Sequence, residues 1–342
     1  MNRRKYSYLF LFILFYSISL FSEPKALLPP KIRKSPNQVI TEAKGKLPIL
    51  NQFDVKLYLF PDRKSDVLRL LNFAEMISLD EKSMEPLDDI WLPIKTKDGM
   101  IGFVPRTAVR LVPSKSFFRE LIFECDKALK NSQISLAESM KITNALQARS
   151  SAGEFVGDDF NLLKTKVGFA LKVTLDKANA LSLGPNQSTE WYDFLKVHQS
   201  KILYDEVEKK YYVDPEYFWK ILDFSPRSKH ADYIAYMASE SLPVRKCPEK
   251  DLACELEQIR LTKLRYLSQF PSGNYAEIYF RDVNKRLSYL TNDSDSIPCF
   301  PPISKFLKSE IESLSKYVSS FSAKRRKILS VYAEKLRAEC LK

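Results

Sequence analysis

The chain has 342 residues, 45% of them hydrophobic and 12% aromatic, with only 8 Gly, which excludes a disordered or collagen-like chain and leaves room for two ordinary domains. Its formal charge of +12 calls for anionic surroundings or a well-solvated surface, with cations spread over helix faces as the plainer of the two readings.

The first residues separate from the rest. Arg3, Arg4 and Lys5 precede an apolar run from Tyr8 to Phe21, the pattern of a secretory signal peptide over residues 1–22. Loss of those three cations with the segment takes the formal charge from +12 to +9. Retention as an uncleaved anchor is the alternative. The expected location is therefore the periplasm or cell envelope. The anionic partners there are membrane lipid, envelope glycolipid or acidic wall polymer, with weak membrane contact through charge and no nucleic acid. Residues 23–42, with Pro24, Pro29, Pro30 and Pro36 among Lys25, Lys31, Arg33 and Lys34, read as an extended linker.

From residue 43 to Pro113 the pattern is β. Val55, Leu57 and Leu59 alternate before Pro61-Asp62; Val67 to Leu71 and Met76 to Leu79 follow. Trp91 to Thr96 alternates toward Lys97-Asp98-Gly99 and returns through Ile101, Phe103 and Val104, a hairpin with Asp-Gly supplying the positive φ that a tight turn needs. About five short strands suit a small barrel.

These residues resemble the bacterial SH3 domain. The likeness lies in Leu57 with Pro61, the Val67–Leu79 strand pair, Trp91 with Ile94, Asp98-Gly99 and Gly102-Phe103-Val104, closing at Val109. The resemblance implies an SH3-like β-barrel over residues 43–113 that binds rather than catalyses. It also implies a ligand surface formed by Tyr58, Phe60, Asp62, Trp91 and Phe103.

Beyond Pro113 apolar residues recur at spacings of three and four to the end, so residues 114–342 are expected to be all-α, including a helix from Trp191 to Val207 and one long terminal helix from Ile303 to Leu336 interrupted only by Arg325. Pro226-Arg-Ser-Lys-His230-Ala231-Asp232 aligns without gaps to Pro271-Ser-Gly-Asn-Tyr275-Ala276-Glu277, 45 residues later. This step resembles tetratricopeptide-like helical repeats, although those recur at about 34 residues; an irregular helical bundle is the alternative. The fold class expected is thus α+β and multidomain, a small SH3-like barrel followed by a helical-repeat-like domain.

Five cysteines are present. Cys247 and Cys254 are close enough in sequence to bridge, and Cys299 and Cys340 bracket the last long helix; two bridges leaving Cys125 are expected, with five buried thiols as the other reading. His198 and His230 form no ligand pair, so no metal and no cofactor are expected. Asn292-Asp293-Ser294-Asp295-Ser296 begins like a calcium loop, but Ile297 and Ser304 stand at ligand positions, which leaves a polar loop. Cys125 between Glu124 and Asp126 is poorly placed for a nucleophile, since neighbouring acids raise a thiol pKa. Trp191, Tyr192, Tyr211, Tyr212, Tyr217, Phe218 and Trp219 read as helix core, with a binding groove as the minor reading. Lys324-Arg325-Arg326-Lys327 reads as a solvated turn. The function expected is a non-enzymatic binding or scaffold role toward a protein, peptide or cell-wall ligand, with no catalytic residues assigned and the oligomeric state open. The alternative is a cysteine-peptidase-like cell-wall hydrolase carrying an SH3-like targeting module.

Overall fold

The computed structural model describes residues 45–83, 90–241, 247, 251–292, 299 and 305–341. The signal-peptide and linker segments, and residues 293–297 of the polar loop, lie outside them. Seven strands come first: β1 (Lys46–Leu50), β2 (Val55–Tyr58), β3 (Val67–Leu71), β4 (Ile77–Leu79), β5 (Trp91–Thr96), β6 (Ile101–Pro105) and β7 (Val109–Pro113). They form an antiparallel sheet in the order β3-β2-β6-β5-β4 and a separate β1-β7 ribbon whose first strand packs beside β4.

Alternation explains this module. Leu92, Ile94 and Val104 point inward and are fully buried with Leu50, Leu57 and Leu71. The expected hairpin forms, but as a three-residue loop: Thr96 N–H donates to Met100 O at 2.9 Å, and of the turn residues only Gly99 has positive φ, +88°. Pro93 is tolerated in an interior strand because β4 has ended beside it; the last pair is Leu79 with Ile94. Gly102 is needed for a different reason, since a Cβ there would lie 2.6 Å from the Tyr58 carbonyl oxygen.

The helices are α1 (Phe117–Leu129), α2 (Leu136–Ala152), α3 (Gly157–Ala180), α4 (Thr189–His198), α5 (Pro215–Phe224), α6 (Ala231–Ser239), α7 (Leu252–Ile259), α8 (Arg265–Gln269), α9 (Ala276–Asn292), α10 (Lys305–Ser319) and α11 (Ala323–Cys340). A π-helical turn over Arg260–Leu264 joins α7 to α8. α2 begins at a capping box between Ser135 and Glu138 and stops at Gly153, whose φ is +66°. Consecutive helices pack as antiparallel pairs: α2 with α3, α5 with α6, and α10 with α11.

Two expectations about the helical half fail. The span Trp191–Val207 breaks at His198 into the hairpin β8 (Ile202–Asp205) and β9 (Lys210–Val213), so the region after Pro113 is not all-α. The hairpin is held on its outer edge by Asn179, whose side chain donates to Tyr211 O at 2.8 Å and accepts from Tyr211 N at 2.9 Å. The terminal helix is two helices, folded back at Ser320-Phe321-Ser322, with Phe321 buried in the bend.

The core is distributed. One cluster fills the β-module, and a second, larger one fills the helical pairs. Between them a third joins Ile49, Phe73, Ala74 and Val112 of the β-module to Leu121 and Cys125 of α1, Leu146 of α2, and Leu163, Val167 and Ala170 of α3. Leu171, Leu175 and Ala178 continue α3 into the helical cluster. The two regions therefore share apolar packing across the Pro113 boundary.

Candidate functional site

The outer face of the sheet collects aromatic residues through strand register. Val67 pairs with Tyr58, Tyr58 with Phe103, and Phe103 with Pro93, a row across β3, β2, β6 and β5. Alternation puts Tyr58 on this face, one residue after the fully buried Leu57 and two after the exposed Lys56, and a register shift that passes over Leu68 brings Val67 opposite it. Trp91 meets Tyr58 edge-on, with ring centroids 5.3 Å apart. Both rings are largely buried, whereas Phe103 is half-exposed and Val67, Leu70 and Ile101 are exposed around them. Tyr58, Trp91 and Phe103 are thus brought to one side of the sheet, where Phe103 reaches the surface and the other two rings lie packed beside it.

Phe60 and Asp62 lie on the loop that follows β2. Phe60 is 62% exposed, the largest exposed aromatic ring of the β-module. Asp62 does not reach the aromatic row; its carboxylate accepts from Lys64 N at 3.0 Å, and Phe60 N donates to Ser65 Oγ at 2.9 Å. These bonds hold the loop in shape and present Phe60 outward.

The helical half carries a second kind of order. Ala231 N donates to Ser228 O and Ser228 N to Ser225 O; Ala276 N donates to Gly273 O and Gly273 N to Phe270 O, the same two bonds 45 positions on. The acid after each alanine reaches the next helical pair. Asp232 accepts from Asn274 N at 2.9 Å and from the Tyr266 hydroxyl, and Glu277 meets Arg325 at 3.4 Å. A side chain at Gly273 would collide with both Asp232 and Tyr266.

The groups considered for chemistry are packed away from it. Cys125 is buried in the junction cluster, and burial pushes its thiol up to about 12, against the pull of Arg149 and Lys166. His198 is fully buried, tilted against Phe194 and hydrogen-bonded through Nε2 to Asn144 Oδ1 at 2.9 Å; burial, and after it Lys201, holds it down at about 4. His230 is partly exposed and shifted down by burial. Trp191, Tyr211, Phe218 and Trp219 are core, while Tyr192 is half-exposed and Tyr212 and Tyr217 lie at the surface of the cluster. Among the described residues no three acids, cysteines or histidines are placed to hold a metal ion.

Both expected disulfides form, Cys247–Cys254 and Cys299–Cys340, and Cys125 is the free thiol. Such bonds fit an oxidising compartment. No helix of the described residues is long and apolar enough to cross a membrane.

Arg149 escaped the sequence reading. It occupies a helix position at ordinary charged spacing, yet it is 2% exposed, donates to Ala74 O at 3.0 Å and Glu75 O at 3.2 Å, and pairs with Glu154 at 2.7 Å. Nothing in its neighbours in sequence marks it out. Compared with family models, with curated proteins and with solved structures, the chain matches none.

Proposed function

We propose that the chain is an exported, non-enzymatic binding protein of the cell envelope. An SH3-like module presents the ligand face, and a tetratricopeptide-like helical array supports it. The observation that carries this reading is the aromatic row of Tyr58, Phe103 and Trp91 bordered by exposed Phe60, Val67, Leu70 and Ile101. A contiguous apolar surface of this kind on a soluble domain is a contact surface for a peptide or a wall ligand. The ladder of Asp232 and Glu277 contacts supports a stacked array as its base.

The test is sedimentation of the full chain with purified peptidoglycan, with soluble products followed in parallel. Co-sedimentation that falls at least about tenfold in Phe60→Ser and Phe103→Ser, with no products released, supports the reading. Released muropeptides that disappear in Cys125→Ala would instead establish the hydrolase.

A further inference from the structure

A groove of about 360 Å³ opens between the start of α3 and the end of α5. Its apolar wall is Phe160, Ile221 and Phe224; Phe224 is 86% exposed although it ends a helix whose other large side chains are mostly core. Three polar groups converge on that wall. Asn161 is only 8% exposed, and its side-chain amide makes no hydrogen bond among the described residues. Neither atom of that amide is among the buried side-chain atoms left without a partner, so the amide opens into the groove with its donor and its acceptor both free. Lys164 lies one helical turn on, its Nζ 4.5 Å from the centre of the Phe160 ring and with no carboxylate among the described residues at ion-pair distance. Ser225 supplies a hydroxyl. Gly157, the first residue of α3, lines the same groove and brings the positive end of a 24-residue helix dipole toward it.

The competing acids are already engaged. Asp158 accepts from Ser228 Oγ at 2.7 Å, and Asp159 faces Lys229 at 3.8 Å. Of the residues lining the groove Lys164 alone is charged, and it stands with the Asn161 amide and the Ser225 hydroxyl beside an apolar floor. A volume of this size falls at the lower end of small-ligand sites, about 300–1,000 Å³.

We infer that this groove binds the carboxyl terminus of a peptide whose last residue is apolar. Lys164 and Ser225 take the terminal carboxylate, and the last side chain lies on Ile221 and Phe224. Asn161 explains why a peptide is chosen over a lipid acid. An amide both donates and accepts, so its Nδ2 can reach the carboxylate while its Oδ1 accepts the backbone N–H of the terminal residue, a group that fatty acids lack. The site shares no residue with the aromatic face of the β-module and stands apart from the function proposed for it.

The test is a titration of the full chain, carbon-13-labelled at isoleucine methyl groups, with N-acetyl-leucine and with N-acetyl-leucinamide. The expected result is a saturable shift of the Ile221 methyl signal by the acid, with at least tenfold weaker binding of the amide. Lys164→Met should weaken the acid at least tenfold and Ser225→Ala about threefold, with the other isoleucine signals in place as evidence of folding. Phe103→Ser should leave the titration unchanged. No shift at Ile221, equal binding of acid and amide, or undiminished binding by Lys164→Met would overturn the inference. Octanoate binding as tightly as N-acetyl-leucine would also overturn it, assigning the groove to a lipid carboxylate.

Discussion

Arg149 of α2 and Ala74 of the β-module stand 75 residues apart in sequence, and the guanidinium Nε donates to the Ala74 carbonyl at 3.0 Å. Ala74 is itself buried and has a positive φ of +57°, so its carbonyl is turned into the junction, out of reach of any strand partner. The same guanidinium satisfies Glu75 O and Glu154, and lies over the Phe117 ring. Arg149→Met should lower stability by about 3 kcal/mol, because it strands buried carbonyls as well as breaking an ion pair. Arg149→Lys should recover less than half, since an ammonium cannot reproduce the planar fork. Urea unfolding followed by far-ultraviolet circular dichroism measures both. Equal stability of Arg149→Met and the parent chain would show that the junction is held by apolar packing alone.

Gly102 has a β-strand φ but no room for a side chain, with the Tyr58 carbonyl 2.6 Å from where its Cβ would sit. Gly102→Ala should therefore push β6 away from β2 and cost about 2 kcal/mol, within the usual range for overpacking. The Tyr58–Trp91 contact moves with β2, so the Trp91 emission should shift in the folded protein, read in a Trp191→Phe, Trp219→Phe background. Alanine at full stability would contradict the close approach.

His198 links stability to pH. Burial holds its folded pKa at about 4, against about 6.5 when unfolded. The unfolded chain therefore binds the proton first, and the neutral ring contributes its full stability only above pH 6.5. That contribution, on the order of 3 kcal/mol, declines as pH falls from 6.5 toward 4. His230, also shifted down, acts in the same sense. His198→Gln keeps a donor for Asn144 and removes the titration. The difference in urea midpoint between pH 7.5 and pH 4.5 should be visibly smaller in that variant, and an identical pH slope would refute the assignment.

The disulfides differ in reach. Cys299 and Cys340 are separated by 41 positions and tie the approach to α10 to the end of α11; Cys247 and Cys254 are separated by 7. On the chain-entropy model the longer loop is worth about 4 kcal/mol and the shorter about 2.5 kcal/mol. Cys299→Ser/Cys340→Ser should lower the melting temperature more than Cys247→Ser/Cys254→Ser. Calorimetry of the two double variants checks the order, and the reverse order would mean that native-state contacts outweigh loop length.

Local pattern carried the parts of this fold that are local. The Trp91–Val104 hairpin follows from period-two alternation and an Asp-Gly turn, and the Cys247–Cys254 disulfide from its short spacing. Cys299 and Cys340, 41 positions apart, meet instead because the chain folds back between α10 and α11. β8 and β9 were missed because their turn, Asp205 to Lys209, contains no Gly or Pro, and its positive φ falls on Lys209 at +55°. The bend between α10 and α11 was missed because Val318 and Phe321 keep a helical apolar spacing across it while the chain reverses. Only Ser319, Ser320 and Ser322 hinted at a stop. The apparent flaw at Arg325 has a cause in three dimensions: its guanidinium donates to Pro271 O at 2.6 Å, a partner 54 residues earlier. Of the aromatic face, Tyr58, Trp91 and Phe103 all follow from strand alternation, whereas the register shift that brings Val67 opposite Tyr58 depends on how β3 pairs with β2. Asn161 carried a faint signal, an amide on the buried stripe of α3 between Gly157 and Leu163. Its meaning rests on the approach of α5, which periodicity in α3 does not encode.

α3 spans 24 residues, about 36 Å of helix, and one stretch of its surface belongs to the junction while the next belongs to the helical interior. A rod embedded in two neighbouring cores leaves no point about which the β-module can swing. Ligands held together, one on the aromatic face and one in the groove that opens at Gly157, would be kept at a set separation and orientation. The molecule would then work as a gauge of distance between its partners, not as a flexible tether joining them.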